Sequence, residues 1–379
     1  MTRYAIIGAG MMGGEHIRNI ALLPGATVSA VVEPDGAMRE ATRELCERSF
    51  GQPPLFVDEP AELGRRDLAD AAVVAAPNHE HLPVMRQLLK TYMPVLCEKP
   101  FGLDANEAME LLSRARHRRA PVWVAMEYRY MPPVARLIQA VREKERGRLG
   151  MLSIREHRFP FLPKVGDWNR FQANTGGTLV EKCCHFFDLM RLITGSEPTR
   201  IYASGSGAVN HLDEDYGGRR PDILDNAFVT VDFASGVRAS LDLCMFGEGS
   251  RWQEIVTATC EHGALAALVP GPGRFEPARP DGERVERTAE FRVTDRATKW
   301  EARHEMEVPA DVLAAGDHHG STFEQHRRFR GMMATQGSPE VTMMDGAIAV
   351  VVGAAAEESV RSGQAIDLRP RLDALRGVA

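Results

Sequence analysis

Over roughly the first 125 residues, short wholly apolar runs alternate with longer stretches whose apolar positions recur at helical spacing. The runs at 4–7, 27–32, 55–57, 71–75, 95–97 and 122–126 predict strands. The stretches at 12–23, 37–48, 81–90 and 106–118 predict helices between them. Strands that are apolar on both faces belong in a parallel sheet covered on both sides, so this region predicts a doubly wound Rossmann sheet. Beyond about residue 130 the pattern changes. Ala227, Val229, Val231 and Phe233 alternate with Phe228, Thr230 and Asp232, Ser235-Gly236 turns the chain, and Val237, Ala239, Leu241 and Leu243 alternate with Arg238, Ser240 and Asp242. This predicts a hairpin with one apolar and one mixed face, as in an open antiparallel sheet. Further strands are predicted at 151–159 and 200–204, and helices at 323–333 and 345–362, the last placed to pack back at the domain junction. The polar, Gly- and Pro-containing stretches 205–221 and 270–283 predict surface loops. The expected chain is α/β, with a Rossmann dinucleotide-binding domain over 1–125. An α+β domain with a large open, mostly antiparallel sheet follows over 126–379.

Composition narrows the function classes without choosing one. A length of 379 residues suits two domains, with three still open. A hydrophobic fraction of 44% and a charged fraction of 26% are ordinary for a globular protein. A net charge of −6 provides no basic field for nucleic acid. The N-terminus has no apolar core of a secretory signal, and the longest apolar run, 347–356, is half of the ~20 residues that span a bilayer. The six cysteines form neither a CxxC pair nor a metal-ligand pattern, so no metal site is expected. The expectation is a cytoplasmic protein with reduced thiols and no membrane or nucleic-acid partner.

The first chemical motif is Gly8-Ala9-Gly10-Met11-Met12-Gly13, between the first strand and the first helix. A lone GxGxxG is weak evidence, but here it has the strand before it, the helix after it and an acidic residue at the right distance. Gly8 permits the turn, Gly10 lets the backbone approach a pyrophosphate, and Gly13 lets helix pack on strand. The helix N-terminus, with Met11 and Met12 in its first turn, offers N–H groups to the phosphates. Glu33 ends the second strand where a carboxylate accepts from ribose hydroxyls. It would also repel a 2′-phosphate, and Arg39 is the nearest compensating base, so NAD is favoured over NADP.

Other candidates carry weaker signals. Glu98-Lys99-Pro100 follows the strand at 95–97 and stands at the ligand-binding edge of an open sheet. Ala76-Pro77-Asn78 has the same location and suits cofactor packing. In the run from Gly176-Gly177 to Leu192, Glu181, His185 and Asp188 fall on one face of a continuous helix at i, i+4 and i+7. A His–carboxylate pair can act as an acid–base unit near neutral pH. Taken singly, these are equally well a loop, a strand end and an amphipathic helix with a core histidine. His318 and His319, before the 323–333 helix, are either substrate-facing or part of a capped helix start.

Taken in order, Gly8–Gly13, Glu98-Lys99-Pro100 and Gly176-Gly177…Glu181…His185…Asp188 resemble the Gfo/Idh/MocA oxidoreductases. Ala76-Pro77-Asn78…His81, Glu127-Tyr128-Arg129-Tyr130 and Trp168-Asn169-Arg170 extend the resemblance over most of the chain. The resemblance implies that Lys99 polarises the substrate oxygen and His185 exchanges a proton with the hydroxyl, assisted by Glu181. Glu181 stands where relatives usually carry aspartate, and Cys183 where many carry glycine. His81, Glu98, Lys99, Trp168 and Arg170 would join the cofactor site. Tyr128, Arg158, Asn169, His185, His318 and His319 would shape the substrate pocket. The implied activity is NAD-dependent hydride transfer at a secondary alcohol of a sugar, inositol or related polyol. Transient use of bound NAD without net redox, and a non-catalytic dinucleotide or sugar sensor, remain alternatives. In relatives the C-terminal sheet commonly makes subunit contacts, which implies a homo-oligomer, a dimer or tetramer.

Overall fold

The computed structural model describes residues 1–272 and 287–378. Most of the loop expected at 270–283 lies outside the described residues. The N-terminal part alternates β1 (Thr2–Ile7), α1 (Met11–Ala21), β2 (Ala26–Val32), α2 (Gly36–Phe50), β3 (Leu55–Val57), α3 (Pro60–Arg65), β4 (Ala71–Val74), α4 (His81–Leu88), β5 (Val95–Cys97), α5 (Ala105–Ala115) and β6 (Val122–Val124). The strands form a parallel sheet in the order β3-β2-β1-β4-β5-β6. Every residue of β4, β5 and β6 is buried, as their unbroken apolar character requires. Side-chain caps set two helix starts: Asp35 accepts from the Met38 amide and Asp104 from the Glu107 amide. The strand order reverses between β1 and β4, which opens a crevice above their carboxyl ends.

The second part contains α6 (Pro132–Arg142), β7 (Leu149–His157), two short helices α7 (Gln172–Thr175) and α8 (Thr178–Glu181), α9 (Cys184–Thr194) and β8 (Pro198–Ser206). Next come β9 (Asn226–Phe233), β10 (Arg238–Cys244), β11 (Glu254–Cys260), β12 (Gly263–Val269), β13 (Ala289–Thr294) and β14 (Glu301–Met306). The chain ends with α10 (Ala310–Ala315), α11 (Ser321–Thr335), α12 (Met343–Ser362), β15 (Ile366–Asp367) and α13 (Arg369–Val378). Among the described residues these strands form one sheet, ordered β14-β13-β12-β11-β7-β10-β9-β8-β15. It is antiparallel except where β7 and β10 run side by side in parallel. The expected hairpin is β9–β10, paired from Asn226↔Cys244 to Asp232↔Arg238. The strands expected at 151–159 and 200–204 are β7 and β8, whereas β11 to β15 and helices α3, α6, α7, α10 and α13 lie beyond the sequence expectations. Two causes are visible. β12 is rich in alanine and glycine, and the edge strand β14 has no buried residue, so neither carries the alternation that marks a half-buried strand.

The long helix α12 is buried over most of its length and touches both parts of the molecule. Thr342 and Asp345 close its N-terminus as a reciprocal capping box. A Cβ on Gly346 would approach Phe101 and Val124 to 2.9 Å, so this turn lies against the Rossmann sheet. One face further on, a Cβ on Gly353 would meet the Leu179 carbonyl oxygen at 2.6 Å. Glu357 accepts from the Leu179 amide at 2.9 Å. Thus α12 sets the position of α8. Among the described residues, no helix is long and apolar enough to cross a membrane. Because Gly353 faces backbone, Gly353→Leu cannot be absorbed by a rotamer change. It should destabilise by about 1–3 kcal/mol, read as a lower urea midpoint with an unchanged m-value.

Candidate functional site

The glycine turn after β1 forms a cradle that meets the requirements of a dinucleotide. Gly8 has φ of 85°, and a Cβ there would strike the Ala76 backbone at 2.5 Å. A Cβ on Gly13 would lie 2.2 Å from the Gly8 carbonyl oxygen, so helix and turn touch backbone to backbone. Gly10 differs: nothing lies within 4 Å of its Cβ direction, and no side chain caps the start of α1. This is the opening through which a pyrophosphate can approach the helix N-terminus. Met11 and Met12 border it, and Met11 is exposed.

Glu33 is buried at the end of β2. Its carboxylate accepts from the Ala9 amide at 2.7 Å and the Asp35 amide at 2.9 Å, which fixes it facing the turn with lone pairs left for ribose hydroxyls. Arg39 is held by the Glu33 carbonyl and by Asp58, so it is not free to meet a 2′-phosphate. On the opposite lip stand Ala76, Pro77 and Asn78. The Asn78 side chain is buried and its Nδ2 has no partner among the described residues. His81 ties the Ala76 and Pro100 carbonyl oxygens, each 3.0 Å from a ring nitrogen. Trp168 packs edge-on against His79 at 5.7 Å, which brings it beside this lip. The open cradle and the unpartnered Asn78 amide both suit NAD. Arg170 and Asn169, by contrast, are engaged within the protein. Arg170 donates to Glu214 at 2.7 Å, and Asn169 donates to the Leu162 carbonyl at 3.0 Å.

Beyond β5 and β6 a set of charged side chains converges. Lys99 donates to the main-chain oxygen of Glu181 at 3.3 Å. Burial pulls its pKa down, but the Cys184 thiol and the Glu181, Glu98 and Glu127 carboxylates outweigh this and raise it, so the ammonium persists. His185 is buried, and burial together with Lys99, Lys182 and His318 holds its pKa well below the ordinary value. At neutral pH it is an uncharged imidazole. Its ring lies flat on Tyr128, with centroids 4.1 Å apart and planes 5° from parallel. The Tyr128 hydroxyl accepts from Lys182, which also pairs with Glu156 at 2.8 Å. Arg158 extends this group, 3.7 Å from Glu156 and over the Phe159 ring.

The continuous helix expected from 178 to 192 is broken. α8 ends at Glu181 and α9 begins at Cys184, with Lys182-Cys183 forming a turn between them. His185 and Asp188 therefore stay three positions apart on α9, while Glu181 belongs to α8 across the turn. Asp188 is claimed by Arg129, which donates to it through two nitrogens. The Glu181 carboxylate is buried, and among the described residues no ion pair joins it to Lys99 or His185. The carboxylate near His185 is instead Glu127, 3.7 Å from Nε2. In the sequence Glu127 enters only with the Glu127-Tyr128-Arg129-Tyr130 resemblance; its place just after β6, at a strand's carboxyl end, is the signal that could have singled it out. Lys164 and Lys182 carried no comparable signal.

His318 reaches the cleft from the segment before α11, with its ring 6.2 Å from that of Tyr128. It pairs with Glu15 of α1 at 2.7 Å. Burial opposes its charge, but Glu15 and then Glu127 overcome this and raise its pKa to about 9. Burial also opposes ionisation of Glu15, and His318 overcomes it to hold that carboxyl at about 2. His319 has a left-handed backbone at φ 50°, takes no part in these contacts, and is lowered to about 4 by burial.

A dinucleotide cradle beside a buried cleft holding an ammonium and a neutral imidazole defines an NAD-binding α/β protein equipped for acid–base chemistry. The chain belongs to the Gfo/Idh/MocA oxidoreductase family. Residues 2–126 match its NAD-binding Rossmann fold and residues 138–368 its C-terminal alpha/beta domain. The chain is 30% identical to an inositol 2-dehydrogenase of Arthrobacter sp. (strain FB24), over 64% of this chain and 66% of that one. It is 26% identical to the uncharacterized oxidoreductase YrbE of Bacillus subtilis, over 62% of this chain and 65% of that one. Both matches span a little under two-thirds of the relative's length. In structure it resembles a putative myo-inositol dehydrogenase of Sinorhizobium meliloti, with a TM-score of 0.75 at 20% identity over 97% of this chain and 99% of that one. That likeness establishes the shared fold.

Two outcomes follow from the geometry. Gly10→Val fills open space at an ordinary φ of −66°, so stability should stay within about 0.5 kcal/mol while NAD binding, followed by fluorescence titration, weakens by about tenfold or more. The His318–Glu15 pair makes stability depend on pH. The His318 contribution is complete below its ordinary 6.5 and is lost as pH rises through about 9. The Glu15 contribution is present above its ordinary 4.5 and is lost as pH falls toward about 2. Glu15→Gln should therefore cost about 2–3 kcal/mol at pH 6, and urea unfolding repeated at pH 10 should show a smaller cost.

Proposed function

We propose that the protein is an NAD-dependent dehydrogenase that transfers a hydride between the nicotinamide and a secondary alcohol of a sugar, an inositol or a related polyol. The observation carrying this reading is the meeting of the part-buried Lys99 ammonium and the buried, neutral His185 imidazole beside the cradle. Bound NAD supplies the hydride acceptor, and the protein supplies position, charge and proton transfer. Lys99 donates to the substrate oxygen and stabilises the alkoxide that develops there. His185, uncharged at physiological pH, accepts the hydroxyl proton. Glu181 acts at a distance: its carboxylate favours the charged form of Lys99, and its main-chain oxygen aims the ammonium.

The polyol class is supported by the relatives named as inositol 2-dehydrogenases and by polar side chains around the cleft, among them Tyr128, Arg158 and His318. The open face of the second sheet exposes Met151, Tyr202 and Phe228, which suits burial against another copy of the chain. A panel of inositols, monosaccharides and glycosides, supplied with NAD and NADP in parallel, should yield NADH in step with a ketone product from at least one polyol. Lys99→Met should lower kcat by about 10³-fold and leave NAD affinity within about threefold, by fluorescence titration. Near-normal turnover by this variant would overturn the assignment.

A further inference from the structure

Glu127 follows β6 in a single turn of 3-10 helix, Glu127–Tyr130, and is 1% exposed. Neither of its carboxylate oxygens has a hydrogen-bond partner among the described residues. A carboxylate so placed is costly unless it carries or shares a proton. Facing it are His185 from α9, Glu98 and Lys99 from the segment after β5, and His318 from the segment before α11. The 3.7 Å between Glu127 Oε1 and His185 Nε2 is too long for a direct hydrogen bond. It is short enough for one oxygen, from a substrate hydroxyl or a water, to hydrogen-bond to both. The stacked Tyr128 ring, held at its hydroxyl by Lys182, keeps the imidazole plane fixed and Nε2 aimed at this point.

We propose that Glu127 is the second proton acceptor of the site, taking from His185 the proton that leaves the substrate hydroxyl. This rests on the dehydrogenase reading above, in which the hydride and its electron pair pass to NAD. On the proton side, the hydroxyl O–H bond breaks and an N–H bond forms at His185 Nε2. A water lying between the two groups then takes that proton from Nε2 and gives one of its own to Glu127, leaving a neutral imidazole and a carboxylic acid. The acid gives its proton to water when the product leaves. Direction is set by environment. Burial, and then the Glu98 charge, raise Glu127 to about 7, whereas His185 is held well below its ordinary value. A proton entering the pair therefore settles on the carboxylate. Above about pH 7 Glu127 is ionised and ready to accept; below it the acceptor is already filled, so alcohol oxidation slows as pH falls through this range. Glu127 and not Glu181 has this part, since among the described residues His185 makes its ion-pair contact with Glu127 and none with Glu181.

The test is Glu127→Gln in the full chain, with Glu127→Asp as a second variant that keeps the carboxylate but withdraws it by one methylene. For Glu127→Gln, kcat for polyol oxidation at pH 8 should fall by roughly 10²-fold, and the acid limb near pH 7 should vanish, with KM and NAD affinity little changed. Glu127→Asp should retain the limb at a shifted pH. The second readout needs no turnover. Infrared titration of the free protein should give a protonated-carboxyl band that grows as pH falls through about 7 and is missing from Glu127→Gln. The wild-type-minus-variant difference isolates it from Glu254 and Glu357, which burial also raises to about 7. An unchanged limb together with an unchanged band would overturn the role of Glu127. If the wild type oxidises no polyol, the dehydrogenase reading fails instead, and the band alone still decides whether Glu127 holds the proton.

Discussion

Glu15 and His16, adjacent on α1, hold the cradle and the cleft in one frame. Glu15 accepts from His318 and from the Thr322 hydroxyl at 2.8 Å. His16 lies 2.9 Å from Glu98 and 2.8 Å from His326 of α11. The helix whose first turn borders the cradle is thereby tied through its next turn to the end of β5 and to the segment that delivers His318. His16 thus bridges Glu98 and His326 through its two ring nitrogens, and His326 Nδ1 has no partner among the described residues. Burial and then His16 drive the His326 pKa far down.

Burial governs the cleft's charges more than any single pair does. It raises the carboxyls of Glu127, Glu181 and Glu254 and lowers Lys164, Lys182 and His185. Carboxyls and amines that would be charged in water are thus brought toward neutrality, an effect that a touching opposite charge opposes. Lys182 has such a contact in Glu156, while Glu254 stands directly across from Glu156 in the β7–β11 ladder and is raised by it as well as by burial. The result is a site in which proton position depends on neighbours, as proton transfer near neutral pH requires.

Elements whose burial pattern repeats locally were legible in the sequence. β1, β2, β4 and β5 came within a residue or two of their bounds because their apolar runs reflect two covered faces. The β9–β10 hairpin came from its alternation and its Ser235-Gly236 turn. The Gly8–Gly13 cradle was legible because Gly8 and Gly13 answer close backbone contacts and Gly10 leaves the approach to the helix open. The acid–base partners were not. A helical face drawn through Glu181, His185 and Asp188 assumes an unbroken helix, whereas the Lys182-Cys183 turn interrupts it between Glu181 and His185. Asp188 then meets Arg129 and His185 meets Glu127, pairings set by tertiary packing between segments some sixty residues apart. Glu15–His318, which spans nearly the whole chain, leaves no local pattern at all.

The placement of β7 also bears on the order of assembly. It lies between β10 and β11 in the finished sheet, so its two hydrogen-bonding edges stay unmatched until both later strands have left the ribosome. β1 to β6 can pair as they emerge, yet the apolar surface around Phe101 and Val124 waits for α12, close to the end of synthesis. A nascent chain therefore carries an open strand and an uncovered patch together, which makes the interval before α12 docks the period when it is most exposed to aggregation and most dependent on chaperones.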